Sequence, residues 1–440
     1  MRHTAHFPIH DLARCKAQLL HWAAAQPVAM YLDSNQHAPD YAKWECLVGA
    51  GAAREMTCAA GTAFARLRDF LGDEGSDWAF GFLAYDLKNE VEQLRSDGYD
   101  GMGLPDLMFF QPAVVAGIRE SQLEIHTLHT DPQAVYQQMQ HQPPAPPPTC
   151  DQPEQLRLRA RLPKPDYLAA VEALRRHIVE GDVYEANLCQ EFFAEGADLQ
   201  PVQVFERLNG LSRSPFAAFV RWHDRYLLCA SPERFLKKAG RSVLSQPIKG
   251  TRRRGKNADE DAHIRQELAD SEKDRAENVM IVDLVRNDLA RHCLPGSVLT
   301  EELFGIYSFP TVHQMISTVS GTLPPEQPDP DMPRHLALLR DAFPMGSMTG
   351  APKVMAMQLL EHYERTRRGL YSGAVGYFDP QQDFDFNVVI RSILYNAASG
   401  YVSVQVGGAI VYDSDPWQEY EECLIKAEAM RLALGAYGFE

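Results

Sequence analysis

Two stretches of this 440-residue chain each carry an acidic pair three residues apart: Asp274 and Glu277 in SEKDRAENVMIVDLVRNDLAR, and Glu419 and Glu422 in DSDPWQEYEECLIKAEAMRLAL. On a helix that spacing puts both carboxylates on one face. Each pair suits a solvated first turn whose acids complement the helix dipole. Two such pairs brought together would suit a hard cation such as Mg²⁺, which prefers carboxylate oxygens. Spacing within a helix does not fix distance between helices, so both readings stand. A third segment, SQPIKGTRRRG, sets Lys249 beside a glycine and follows it with Arg252, Arg253 and Arg254. A lysine becomes a useful nucleophile only when desolvation or neighbouring cations bring its pKa toward neutrality. The arginines could supply that field or form a phosphate or carboxylate site, and a solvated turn also explains the lysine. In GSMTGAPK a turn runs into a helix at Pro352, where free N–H groups can face an anion. Gly407 and Gly408 close the strand pattern YVSVQVGGAIV, where a backbone can approach a ligand. A structural bend explains either feature.

These residues sit in a chain of mixed elements. KPDYLAAVEALRRHIVEG predicts a helix with Asp166 as cap and Gly181 as its stop. Residues 271–291 predict a largely buried helix, because apolar residues nearly encircle it. The last helix is expected to start at Asp415 and Pro416. DWAFGFLAYDL, QLEIHTLHT, RYLLCAS, FNVVIRSILYN and YVSVQVGGAIV read as strands. Long helices among such strands, without regular βαβ alternation, indicate an α+β architecture; no GxGxxG or P-loop is present. The proline-rich HQPPAPPPTCDQPEQ excludes helix and central strand. It marks residues 141–161 as a connector between an N-terminal region, 1–140, and a C-terminal one, 162–440. With 59 acidic against 43 basic residues and a net charge of −16, general nucleic-acid binding is disfavoured. The eight cysteines form no Cys-x-x-Cys pair, and neither a secretory h-region nor a membrane-length apolar run occurs. A cytoplasmic protein with no membrane partner is the expectation.

The motifs IVEGDVYEANLCQ, SPERF, PIKGTRRRG, KDRAENVMIVDLVRNDLAR, GSMTGAPK, SGAVGYFD, VVIRSI, GGAIVYDSDP and EYEECLIKA occur in a characteristic order. Over residues 163–437 the chain thereby resembles the chorismate-utilising enzymes, and WAFGFLAYDL resembles their N-terminal region. The resemblance implies a large α/β/α sandwich with two facing antiparallel sheets and a buried Mg²⁺–chorismate site. Family members that add water to chorismate carry a lysine where this chain has Glu185, so hydration is disfavoured. Anthranilate synthases read Pro-Ile-Ala-Gly-Thr where this chain has Lys249. The lysine form resembles the branch that aminates chorismate to 4-amino-4-deoxychorismate for 4-aminobenzoate and folate, a transaminase-class reaction. Anthranilate synthesis is the alternative.

By resemblance, Lys249 is the covalent nucleophile, Glu233 the general acid and His313 a site histidine. Glu277 and Glu422 hold Mg²⁺, with Asp274 and Glu419 orienting its waters. Arg391 and Tyr377 clamp the enolpyruvyl carboxylate with the N–H groups of Gly407 and Gly408. Thr349 and Gly350 contact the same end, and Lys426 lies near the ring carboxylate. Ammonia would come from a separate glutamine amidotransferase subunit, since no glutaminase motif is seen. Met345, Met355 and Cys423 depart from the usual family residues.

Overall fold

The computed structural model describes residues 2–37, 43–72, 76–141, 156–310, 312–325 and 331–439. Residues 142–155, most of the expected connector, lie outside them. Every pairing between extended strands is antiparallel. Two long strands, Cys46–Cys58 and Leu107–Arg119, pair over nearly their whole length, with a register shift between Ala52 and Arg54. From them the ladder runs two ways. One limb passes through Val28–Asp33, Phe216–Trp222, Arg225–Ser231, Ser392–Asn396 and Tyr401–Ile410 to Glu185–Ala194. The other passes through Ala79–Leu83, Ala374–Phe378, Phe384–Val388, Arg234–Ala239 and Ser242–Gln246 to Val312–Thr322.

Alternation along the strands explains how the limbs face each other. Val28, Met30, Ala218 and Val220 from the first limb meet Phe80, Phe82, Val375 and Tyr377 from the second in one buried cluster. The intervening residues Ala29, Tyr31, Ala217 and Phe219 turn outward onto helices that include Leu12–Ala24, Pro201–Ser212 and Pro416–Leu434. Ala79, Leu83, Ala374 and Phe378 do the same beneath Ala63–Gly72, Glu272–Ala290 and Arg334–Ala342. Helices therefore cover the outer faces of two facing antiparallel sheets, the architecture the family resemblance implied. Strands from before residue 140 pair with strands from after 162 in both limbs.

Several local expectations change. FNVVIRSILYN is two strands, Phe384–Val388 and Ser392–Asn396, broken where Arg391 takes a φ of +53°. The helix Lys164–Glu180 is preceded by Pro163, so Asp166 lies in its first turn, while Gly181 does stop it in the left-handed conformation. The helix Glu272–Ala290 is only half-buried: Arg275, Val279, Asp283 and Arg286 face solvent. No helix of the described residues is long and apolar enough to cross a membrane.

Candidate active site

Lys249 owes its direction to an irregularity in its strand, Ile248–Arg253. Against Val312–Thr322, Ile248 stands opposite Ile316 and Thr251 opposite Gln314, so Lys249 and Gly250 together face one residue. Such a bulge re-aims a side chain. Gly250 has φ +86°, and a Cβ there would come within 2.9 Å of Asp274 Oδ1. A glycine is what lets the strand pass this close to the helix above it.

The amine is buried and donates from Nζ to Glu185 Oε1 at 2.6 Å. Glu185 opens the strand Glu185–Ala194 and is itself fully buried. Its other oxygen, Oε2, has no hydrogen-bond partner among the described residues. Burial alone would depress the Lys249 pKa, but the charges of Glu185, Glu277 and Glu233 outweigh it and hold the amine above the ordinary lysine value. An amine uncharged at rest, the expectation for a nucleophile at this position, is not what these surroundings favour. The arginines that follow do not supply the missing field. Arg252 donates to Asp274 at 2.7 Å, Arg253 to Glu260 at 2.6 Å, and Arg254 to both Asp261 oxygens at 2.8 and 2.7 Å. Each is neutralised by a carboxylate of the chain itself.

Glu233 precedes the strand Arg234–Ala239 and is 4% exposed. Ser347 Oγ donates to its Oε1 at 2.7 Å. Burial pushes its pKa up to about 7, against the opposing pull of Ser347 and Lys249. A carboxyl poised there can carry a proton at neutral pH.

The two acid-bearing helices meet at this pocket. Burial raises Glu277 to about 7, with Lys249 opposing and Glu185 reinforcing. Lys249 also acts on Glu422, and Lys273, beside Glu277, acts on both Glu419 and Glu422. Burial raises Glu419, whose Oε1 accepts from Ser414. For Glu422 burial is outweighed by Lys426, Lys273 and Lys249, which hold it below the usual carboxylate range. Its side chain is 47% exposed although protein surrounds it on most sides, as expected for the wall of a concave site. Gly408 lies against this wall: a Cβ there would come 2.9 Å from Glu419 Oε2. Asp274 completes the set and is held by Arg252. No three of these acids bring ligand atoms within 4.8 Å of one another; among the described residues that spacing occurs at His177, Glu180 and Asp182. The wider, all-oxygen set fits Mg²⁺, which keeps several waters and uses only a few carboxylates.

Arg391 is surrounded by protein, with Tyr371 and Glu422 as its electrostatic neighbours. It makes no side-chain hydrogen bond within the described residues. The tyrosine assignment therefore needs correcting. Tyr377 faces the interior between the sheets, its ring 5.8 Å from Trp78 and 5.9 Å from Phe80. Strand alternation turns it away from Arg391, and Tyr371 is the tyrosine beside that guanidinium. Thr349 is fully buried, and its backbone oxygen accepts from Asn187 N at 2.9 Å. Gly350 pairs with Ala186, which ties the GSMTG loop to the Glu185 strand. Gly407 and Gly408 lie within the ladder rather than at its end, opposite Cys189 and Leu188, and the strand continues to Ile410. Lys426 donates to Gly407 O and to Glu422, both at 2.6 Å. His313 is fully buried, with one ring nitrogen 3.0 Å from Asp261 and the other 2.8 Å from Ser308. Both nitrogens are thereby engaged away from Lys249 and Glu233.

Two cavities lie elsewhere. One, about 260 Å³, is bounded by Lys16, Tyr31, Phe205 and Arg213; a smaller one contains Trp44, Arg234, Tyr377 and Asp385. Neither includes Lys249 or the acids around it. Sequence reasoning missed Glu185 as a partner of Lys249, Ser347 as a partner of Glu233, and Tyr371. Glu185 and Ser347 lie inside motifs already singled out, and Tyr371 stands immediately before one.

The sequence profile described as chorismate binding enzyme matches residues 12–432. A protein named "Aminodeoxychorismate synthase component 1" from Bacillus subtilis (strain 168) is 35% identical over 368 residues, 81% of this chain and 76% of that protein. "Probable aminodeoxychorismate synthase, chloroplastic" from Oryza sativa subsp. japonica is 41% identical over 269 residues. That match takes in 60% of this chain and only 29% of the rice protein. The crystal structure of anthranilate synthase component I from Streptococcus pneumoniae TIGR4 superposes with a TM-score of 0.74 at 25% identity, over 87% of this chain and 91% of that one.

Proposed function

The chain belongs to the chorismate binding enzyme family, and on that premise we propose that it aminates chorismate to 4-amino-4-deoxychorismate. It takes ammonia released from glutamine by a separate amidotransferase subunit. The relatives named aminodeoxychorismate synthase component 1 support this reading over anthranilate synthesis. The observation that carries it is Lys249 itself: a buried amine between Glu185, Glu233 and Glu277, where anthranilate synthases are expected to have alanine.

Each step is then a task for a named side chain. Arg391 holds a substrate carboxylate through charge-assisted hydrogen bonds, with Tyr371 beside it. Lys249 Nζ attacks ring carbon 2 while the 4-hydroxyl departs from the conjugated system. Hydroxide is a poor leaving group, and Glu233, protonated near neutrality, delivers the proton that lets it leave as water. Ammonia then adds at carbon 4 and the lysine nitrogen departs. Glu277 and Glu422 would hold Mg²⁺, with Asp274 and Glu419 on its waters. When bound, the cation supplies Lewis-acid stabilisation to the ring carboxylate. Thr349, Gly350, Gly407 and Gly408 contact the same end of the substrate as Arg391, and Lys426 lies near the ring carboxylate.

The test is identification of products from chorismate, ammonia and Mg²⁺, with wild-type protein and Lys249→Ala. The expected product is 4-amino-4-deoxychorismate, and the variant should lose on the order of 10⁴-fold or more in turnover. Anthranilate as the main wild-type product would defeat the reading.

A further inference from the structure

The amination reading leaves one proton unaccounted for. Lys249 must attack as a neutral amine, yet its surroundings favour the ammonium form. The groups that face it are Glu185, Glu233 and Glu277, with Glu422 further out. Glu233 is committed to the departing hydroxyl and is bonded to Ser347. Glu277 has Lys273 at 3.9 Å and belongs to the acid wall. Glu185 alone touches the nitrogen, at 2.6 Å, and is the only hydrogen-bond partner of Nζ among the described residues.

We propose that Glu185 is the base that takes the proton from Lys249 before it attacks the substrate and returns it when the lysine leaves. The proposal rests on the amination reading. The geometry suits the exchange in both directions. Glu185 Oε1 already accepts from the lysine, and its Oε2 is buried with no hydrogen-bond partner among the described residues, so no other protein group competes for the proton. Moving the proton across the existing hydrogen bond turns an ion pair into a neutral pair and leaves the pocket's total charge unchanged. The freed lone pair forms the N–C2 bond, and the C4–O bond breaks with the proton from Glu233, giving water and a cationic secondary amine on the ring. Ammonia forms the C4–N bond as the N–C2 bond breaks, so the lysine leaves as a neutral amine. The Glu185 carboxylic acid then reprotonates it, and the proton that NH₄⁺ releases on becoming ammonia restores Glu233. Summed over the cycle, chorismate and NH₄⁺ give aminodeoxychorismate and water.

The test compares wild type, Glu185→Gln and Glu185→Asp with chorismate and ammonia across pH 6–10. Glutamine keeps a hydrogen-bonding oxygen but cannot take the proton. We expect it to lower kcat about 10²- to 10³-fold with chorismate KM changed less than about threefold. Its kcat should then climb with pH as solvent takes over deprotonation. Aspartate, still a base, should recover to within about tenfold of wild type with the wild-type pH profile. If Glu185→Gln fails to fold by circular dichroism, Glu185→Ala decides: a kcat at least about 10²-fold below wild type that rises with pH supports the proposal, and an unchanged kcat overturns it. Glu185→Gln with wild-type kcat, or with only a raised KM, overturns the proposal while leaving the amination reading intact. Absence of aminodeoxychorismate from the wild-type reaction overturns both.

Discussion

Two buried charge clusters in this molecule are built to opposite specifications. Around Arg368 every donor is answered: Glu364 accepts from Nε and Nη2 at 2.9 and 2.7 Å, and the carbonyls of Met348 and Asn187 accept at 2.7 and 2.8 Å. The guanidinium also lies 4.3 Å from the Tyr85 ring centroid. Around Lys249 the account does not close: one ammonium faces three acids, and among the described residues one Glu185 oxygen has no partner and Arg391 makes no side-chain hydrogen bond. Buried polar groups are normally satisfied, so a closed cluster reads as scaffold and an open one as a place where something binds. Arg368 also touches the two backbone segments, 187 and 348, that flank the site. The closed cluster therefore holds the open one in shape.

Breaking the closed cluster should cost the most stability. Arg368→Met removes one partner of a buried ion pair and leaves Glu364 uncompensated, for an expected loss of about 3–5 kcal/mol. Urea denaturation with matched m-values measures it. A loss under about 1 kcal/mol would mean that the network is not the support described above.

Arg391 sharpens the contrast from the other side. Arg391→Ala removes a cation that no group among the described residues hydrogen-bonds, so folding stability should be unchanged or slightly improved. Chorismate KM should rise about 100-fold, equivalent to about 2.7 kcal/mol of lost binding. A large fall in thermal stability with KM unchanged would move Arg391 into the structural class.

The open cluster was only partly legible in the sequence. Lys249 and the acids of both late helices could be read by residue type, because the motifs are contiguous. What surrounds Lys249 could not. Glu185 lies 64 residues away, on the other limb of the sandwich. The adjacent arginines look like its neighbours on paper, but each bonds a carboxylate on the helical segment that follows. The choice between Tyr371 and Tyr377 failed for a related reason. Both sit in one glycine-interrupted segment, and the sequence does not show that Tyr377 lies in the strand Ala374–Phe378 while Tyr371 lies in the turn before it. The two facing sheets were available from motif order alone, whereas local apolar content overstated the burial of Glu272–Ala290, which has a single neighbour layer.

The remaining contrast concerns Glu233, the acid that belongs to the open cluster but is bonded like a structural group. Its folded pKa is about 7, against 4.5 for an ordinary glutamate. A raised carboxyl pKa means the folded state keeps a proton that the unfolded state has lost. Its stabilising contribution is therefore complete below pH 4.5 and is lost progressively as pH rises to about 7. At pH 8 wild type folds with a buried, ionised carboxylate, at a cost on the order of 3 kcal/mol from a shift of this size. Glu233→Gln keeps an oxygen to accept from Ser347 and carries no charge. It should match wild type within about 1 kcal/mol at pH 5 and exceed it by about 3 kcal/mol at pH 8, while losing turnover at both. Urea midpoints at the two pH values measure this. An equal offset at both would mean that Glu233 titrates like a surface carboxylate and has no proton to give at neutral pH. The gain in stability and the loss of activity should come from the same removed proton, which is what separates an acid kept for chemistry from one kept for the fold.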